Sequence, residues 1–160
     1  SCNTAIGFQA MIANTTGAEN VAVGASALSA NTTGTRNVAV GFGSMLCNTT
    51  ANDNTAVGRC AMKLNTTGAS NTAMAKDALV FNTTGSNNTA IGTSALYLNT
   101  TGDANVAVGN VALDANTTGT NNVALGSAAL GAVTTGSGNI GIGQNTAYEL
   151  YTGSNNITIL

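Results

Sequence analysis

Apolar residues return at fixed places along this chain, between copies of the polar tripeptide Asn-Thr-Thr. That tripeptide starts at Asn14, Asn31, Asn48, Asn65, Asn82, Asn99 and Asn116, always 17 residues apart. Val133-Thr134-Thr135-Gly136 and Leu150-Tyr151-Thr152-Gly153 keep the phase, and residues 3–13 match the second half of a preceding unit. The chain therefore reads as one repeat domain. It has a partial unit 1–13, full units 14–30, 31–47, 48–64, 65–81, 82–98, 99–115, 116–132 and 133–149, and a partial unit 150–160. Counted from its Asn, the unit is N-T-T-G-x-x-N-[VT]-A-[VIL]-G-x-x-A-[LM]-x-x.

A fixed period without insertions means that every copy makes the same turn in space and stacks on its neighbours. Helical repeats generally need about 33 residues or more. A 17-residue unit suits one coil of an all-β solenoid, with each strand in register on the same strand of the next coil. Repeat positions 7 to 11 (Asn20-Val21-Ala22-Val23-Gly24, for example) put β-branched residues at alternate places, the period of a strand. Position 10 holds Ile6, Val23, Val40, Val57, Met74, Ile91, Val108, Leu125, Ile142 and Ile159. An always-aliphatic column predicts the face of a dry core, with position 8 pointing the same way. A second short strand is predicted over positions 13 to 16, where position 15 is Met11, Leu28, Met45, Met62, Leu79, Leu96, Leu113 or Leu130. Glycines at positions 4 and 11 fit turns, with Ala51 and Ala75 as exceptions.

Position 9 is Ala5, Ala22, Ala39, Ala56, Ala73, Ala90, Ala107 and Ala124 before it becomes Gly141 and Thr158. If positions 8 and 10 face inward, this column faces out, and an uncharged outer column of alanines predicts inter-chain packing. The core is thin for a free-standing rod, and three-fold closure is a natural solution for identical coils. A homotrimer is the expected assembly.

The pentad Asn-[Val/Thr]-Ala-[Val/Ile]-Gly, followed by Ala-Leu, resembles the head repeats of trimeric autotransporter adhesins. It is also similar to the Asn-Thr-Thr-Gly repeats of phage and bacterial tail-fibre-like proteins. The resemblance implies a left-handed parallel β-roll, trimeric assembly and a role in attachment, at a cell surface or on a virion tail. The unit here is three residues longer than in the adhesin heads, an extension placed in the Asn-Thr-Thr-Gly loop.

Composition narrows the chemistry. Only 6% of residues are charged and the net charge is −2, so no nucleic-acid footprint is present and no such partner is expected. No apolar run is long enough to predict membrane insertion. The chain opens on Ser1 and stops in mid-repeat, so the native protein is expected to continue. The three cysteines (Cys2, Cys47, Cys60) fall at different repeat positions and read as small buried hydrophobes. The carboxylates Glu19, Asp53, Asp77, Asp103, Asp114 and Glu149 scatter over several repeat positions, and there is no His. Neither a catalytic constellation, a zinc site nor an in-register calcium column is legible, so an enzyme, a metal and a cofactor are not expected. No Gly-Lys-[Ser/Thr] marks a phosphate loop.

The Asn and Thr columns carry the remaining chemistry. Coils about 4.8 Å apart would stack Asn3, Asn20, Asn37, Asn54, Asn71, Asn88, Asn105, Asn122, Asn139 and Asn156 into an amide ladder at position 7. A like ladder is expected at position 1. The Asn-Thr-Thr segments are also N-glycosylation sequons at Asn14, Asn31, Asn48, Asn65, Asn82, Asn99 and Asn116, although a glycan on every coil would crowd its neighbours. Regular Thr at positions 2 and 3 raises ice binding as a rival function, with one column at most able to face outward. The leading expectation is an extracellular rod segment of a trimeric fibre, presenting Asn/Thr loops to a glycan or protein receptor. A self-assembling filament without a receptor is the alternative.

Overall fold

The computed structural model describes residues 2–147 and 150–160. The chain winds as a parallel β-solenoid in which each unit contributes one three-residue strand. These are β1 Thr4–Ile6, β2 Val21–Val23, β3 Val38–Val40, β4 Thr55–Val57, β5 Thr72–Met74, β6 Thr89–Ile91, β7 Val106–Val108, β8 Val123–Leu125, β9 Ile140–Ile142 and β10 Ile157–Ile159. They form one sheet in chain order, each strand pairing with the same repeat positions of the next coil, as in Thr89↔Val106, Ala90↔Ala107 and Ile91↔Val108. At the usual strand spacing the ladder is about 45 Å long.

The inside and outside of this sheet are the reverse of the sequence expectation. Ala22, Ala39, Ala56, Ala73, Ala90, Ala107 and Ala124 have no exposed surface and form one wall of the core. Only Ala5, on the terminal strand β1, is exposed. The position-10 residues Ile6, Val23, Val40, Val57, Met74, Ile91, Val108, Leu125, Ile142 and Ile159 stand on the outer face, half-exposed to exposed, alongside position 8. The reason is space. Across the coil from position 9 lie the buried Leu or Met of position 15 and the small residue of position 14. Even a methyl group added at Gly141 would come within 2.7 Å of Leu130 Cγ and 2.8 Å of Thr146 Oγ1. Gly141 occurs where position 14 has grown from Ala to Thr146, so the two positions trade volume across the core.

The second expected strand is a turn. Position 13 and position 15 both adopt left-handed backbone, as at Ser94 (φ 55°) and Leu96 (φ 50°). The N–H of Ala95 donates to Gly92 O (3.1 Å) and that of Asn99 to Leu96 O (3.2 Å), closing two tight corners. Left-handed backbone costs a non-glycine residue about 1–2 kcal/mol. At position 15 that cost is offset by burial of a Leu or Met side chain, worth about 1.5–3 kcal/mol. Coil-to-coil pairing continues through the turn, as in Leu96 N–H to Ala112 O (3.0 Å).

Glycine at position 11 answers to close approach. Gly24 has φ 133°, and a methyl group there would meet the Gly41 carbonyl oxygen at 2.6 Å. Ala75 stands in this column at φ 111°, and its carbonyl reaches Ala78 N–H at 3.5 Å, longer than the 3.1 Å of Ala95 N–H to Gly92 O.

Candidate functional site

Two asparagine ladders run from coil to coil, one at position 1 and one at position 7, where the Asn directly precedes each strand. At position 7, each Asn Oδ1 accepts the backbone N–H of the next Asn: Asn88 N to Asn71 Oδ1 is 2.9 Å and Asn105 N to Asn88 Oδ1 is 2.9 Å. Each Nδ2 donates across the coil step to the position-4 carbonyl, as Asn88 Nδ2 does to Gly102 O (2.8 Å). At position 1, Asn99 Nδ2 donates both to Asn82 Oδ1 (2.9 Å) and to Gly102 O (3.0 Å). The position-4 carbonyl is thus gripped by both ladders. The position-7 ladder continues without its partner into the degenerate units, with Asn139 N donating to Asn122 Oδ1 (2.9 Å) and Asn156 N to Asn139 Oδ1 (3.0 Å). Where Val133 takes position 1, the ladder stops and the buried Asn116 Oδ1 is left without a partner.

The same geometry buries six of the seven Asn-Thr-Thr asparagines. Asn31, Asn48, Asn65, Asn82, Asn99 and Asn116 are fully buried, and the nitrogen a glycan would need is a ladder donor. Asn14, in the first full unit, is half-buried, and its Nδ2 donates to Gly17 O (3.0 Å). The loops therefore do not present these Asn side chains.

The two Thr columns part company. At position 2 the hydroxyl donates into the next coil, as Thr83 Oγ1 does to Thr100 O (3.1 Å), and the side chain is half-buried. At position 3, Thr16, Thr33, Thr50, Thr67, Thr84, Thr101, Thr118 and Thr135 are all exposed. Position 5, which sequence reading passed over, has a structural task. Its side chain caps the backbone N–H of the preceding coil, as Asp103 Oδ1 does for Ser86 N (2.7 Å) and Asn52 Oδ1 for Thr35 N (2.7 Å). Asn52, Ser86, Asp103, Ser137 and Ser154 make this contact, and the run of short polar side chains in that column is the available signal.

A comparison with protein-family models, with characterised proteins and with solved structures gives no match. Function must be read from the surface itself.

Arg36 makes a bidentate pair with Asp53 on the next coil, Nε to Oδ1 2.6 Å and Nη2 to Oδ2 2.9 Å, and both are exposed. The hydrogen bond from Arg36 holds the Asp53 carboxyl below its usual range. Its small stabilisation is present above the unfolded-state pKa and is lost as pH falls through the depressed folded value. Among the described residues no cluster of three metal-ligating side chains occurs. No helix of the described residues is long and apolar enough to cross a membrane. Of the cysteines only Cys60 is buried as expected, while Cys47 is half-buried and Cys2 exposed. Glu149 lies outside the described residues.

Two features break the polar periodicity of the surface. One is the outer face of the sheet, where positions 8 and 10 carry only Val, Ile, Leu, Met and Thr on all ten strands. The other lies at positions 16 and 17. Phe81 and Tyr97 pack edge to face there, with centroids 5.2 Å apart, and beyond the exposed Leu98 the described residues of these columns are Asp114, Ala115, Gly131 and Ala132. A cavity of about 260 Å³ opens over Ala115, Gly131 and Ala132, lined also by Thr134 and Tyr151.

Proposed function

We propose that this chain is a rod segment of an extracellular trimeric attachment fibre, of the kind found in phage tail fibres and bacterial surface adhesins. The observation that carries the reading is the apolar strip of positions 8 and 10, which runs the length of the rod without a charge. Twenty outward side chains, two on each of ten strands, match the ~20–30 residues per side of a stable protein interface. The alanine column has no part in this assembly, because it lies inside the coil. The two ladders and the in-register sheet supply stiffness, and three parallel rods would close their strips around a common axis. Exposed Thr at position 3 would then be available for contact with a receptor, with avidity from three-fold presentation.

Native mass by light scattering tests this. The wild-type chain of 15.6 kDa is expected at about three times that mass, and Ile91→Lys with Leu125→Lys at the mass of one chain. Both substitutions point outward, so circular dichroism should be unchanged. A wild-type monomer, or a variant that still forms trimers, would contradict the reading. Long filaments in electron micrographs of the same sample would favour the self-assembling filament.

The exposed position-3 Thr column supports a second reading, in which a monomeric rod orders water at an ice surface. It requires a monomer and thermal hysteresis that is lost when Thr67, Thr84 and Thr101 are changed to bulky residues.

A further inference from the structure

Charge on this rod is segregated. All four cations, Arg36, Arg59, Lys63 and Lys76, fall within units 31–81, and the later units hold only carboxylates, Asp103, Asp114 and Glu149. Charges one period apart are of opposite sign in the stack Glu19, Arg36 and Asp53 at position 6. Arg59 and Lys76 break that rule. They share position 12 on adjacent coils, so two exposed cations leave the backbone ~4.8 Å from each other. No other two residues of like charge stand one period apart.

Asp77 stands beside the two, its Oδ1 4.0 Å from Arg59 Nη1 and its Oδ2 3.4 Å from Lys76 Nζ. A third cation joins them. The N–H of Lys63, at position 16, donates to Cys60 O (3.2 Å), which sets it one corner on from Arg59. A methyl group at Gly43 would stand 3.8 Å from both Leu46 Cδ1 and Cys60 Sγ, so columns 13 and 16 are neighbours. By repeat position Lys63 therefore borders the column of Cys60 and Asp77. Among the described residues Lys63 pairs with no carboxylate. Three cations against one carboxylate leave +2 on this edge, on a chain whose net charge is −2. Alongside runs the position-17 column of Leu64, Phe81 and Leu98, the last two exposed.

We infer that the edge carrying Arg59, Lys63 and Lys76 docks an acidic polysaccharide, one with carboxylate or sulfate groups on its sugar rings. Stacked cations repel, and an anion lying across them relieves that repulsion through charge-assisted hydrogen bonds. Leu64, Phe81 and Leu98 offer apolar surface to the C–H faces of the rings. Other polyanions fit less well. Duplex DNA carries a charge every ~1.7 Å of its axis, denser than three cations on two coils can match. Anionic membranes engage clusters of about 4–8 Lys or Arg. The inference rests on the attachment reading above for its purpose, to which it adds a place on the rod and the chemistry of the receptor. The edge itself belongs to a single chain.

The test is calorimetric titration of the full chain with polygalacturonate and with dextran sulfate, against neutral dextran and oligothymidylate. At least one acidic polysaccharide should bind saturably, more weakly as salt rises, and which one binds separates carboxylate from sulfate. Arg59→Ala, Lys63→Ser and Lys76→Thr should each weaken binding about two- to fivefold, and together abolish it. Ala25, Ser29 and Thr93 already stand at those repeat positions, so the coil accepts the changes. Asp77→Ser, a copy of Ser94 (φ 55°), removes the competing carboxylate and should tighten binding about two- to fivefold. Arg36→Asn, a copy of Asn87 on another column, should leave it unchanged. The inference is overturned if neither acidic polysaccharide binds, if Asp77→Ser does not tighten binding, or if Arg36→Asn weakens it as much as Lys76→Thr. Tighter binding of oligothymidylate would overturn it too. A trimer that binds neither polysaccharide sinks this edge and leaves the fibre standing. A monomer that binds one does the reverse.

Discussion

Asn88→Ala is expected to lower the unfolding free energy by about 3 kcal/mol, from an orphaned buried donor plus lost hydrogen bonds. Asn88 Oδ1 accepts from Asn105 N (2.9 Å) and Asn105 Nδ2 (3.2 Å), and its own Nδ2 donates to Gly102 O (2.8 Å). After truncation, Gly102 O keeps Asn99 Nδ2 and Asn105 Nδ2 keeps Gly119 O. The backbone N–H of Asn105, inside the coil, keeps nothing. Because each coil holds only its neighbours, a fault in mid-ladder weakens the coupling between the two halves of the rod. Asn87→Ala is the control. Asn87 is exposed at φ 61°, so its loss should cost less than about 1 kcal/mol. Urea unfolding of the two variants measures the difference, and equal midpoints would show that the ladder contributes little.

Ala90→Leu is expected to be as damaging, at about 3 kcal/mol, near the top of the usual range for overpacking. Ala90 is fully buried. By repeat position its methyl faces Leu79 of the preceding unit and Ala95 of its own, as Gly141 faces Leu130 and Thr146. No voids of methylene size are offered by side chains that already close on a methyl group. Thr89→Val, one residue away on the outer face, copies Val106 and should change stability by less than about 0.5 kcal/mol. The opposite ranking, with Ala90→Leu tolerated, would restore position 10 to the core and remove the outer strip.

These two columns also show how far the sequence could be read. The 17-residue period fixes the coil, the strand positions and the register, because every coil must repeat the same hydrogen bonds. The persistence of Asn at position 7 likewise announced a ladder. Alternation at positions 8, 9 and 10 tells only that 9 faces away from the other two. Choosing which face is inside by side-chain size failed here, since β-branched residues shape a strand on either face. The deciding residue was elsewhere in the unit. Leu or Met at position 15, turned inward by left-handed backbone, fills the space that position 10 was expected to fill. Such backbone at non-glycine residues leaves little trace in composition, so the turn was read as a strand. The sequons carry a related limit: the motif specifies a side chain but not its burial, and six of the seven Asn side chains are buried.

The cavity was illegible for a different reason. It opens over Gly131-Ala132, at the two positions that the repeat unit leaves free, so the period carries no information about it.

The central claim is that two asparagine ladders hold the coils in register, and side-chain amide hydrogen exchange by NMR tests it most directly. The NH2 groups of the position-1 and position-7 residues, such as Asn65, Asn71, Asn82 and Asn88, should exchange far more slowly than those of the exposed Asn87, Asn110 and Asn121. Uniformly fast exchange across all asparagines would mean that no ladder exists, and the solenoid described here would fall with it.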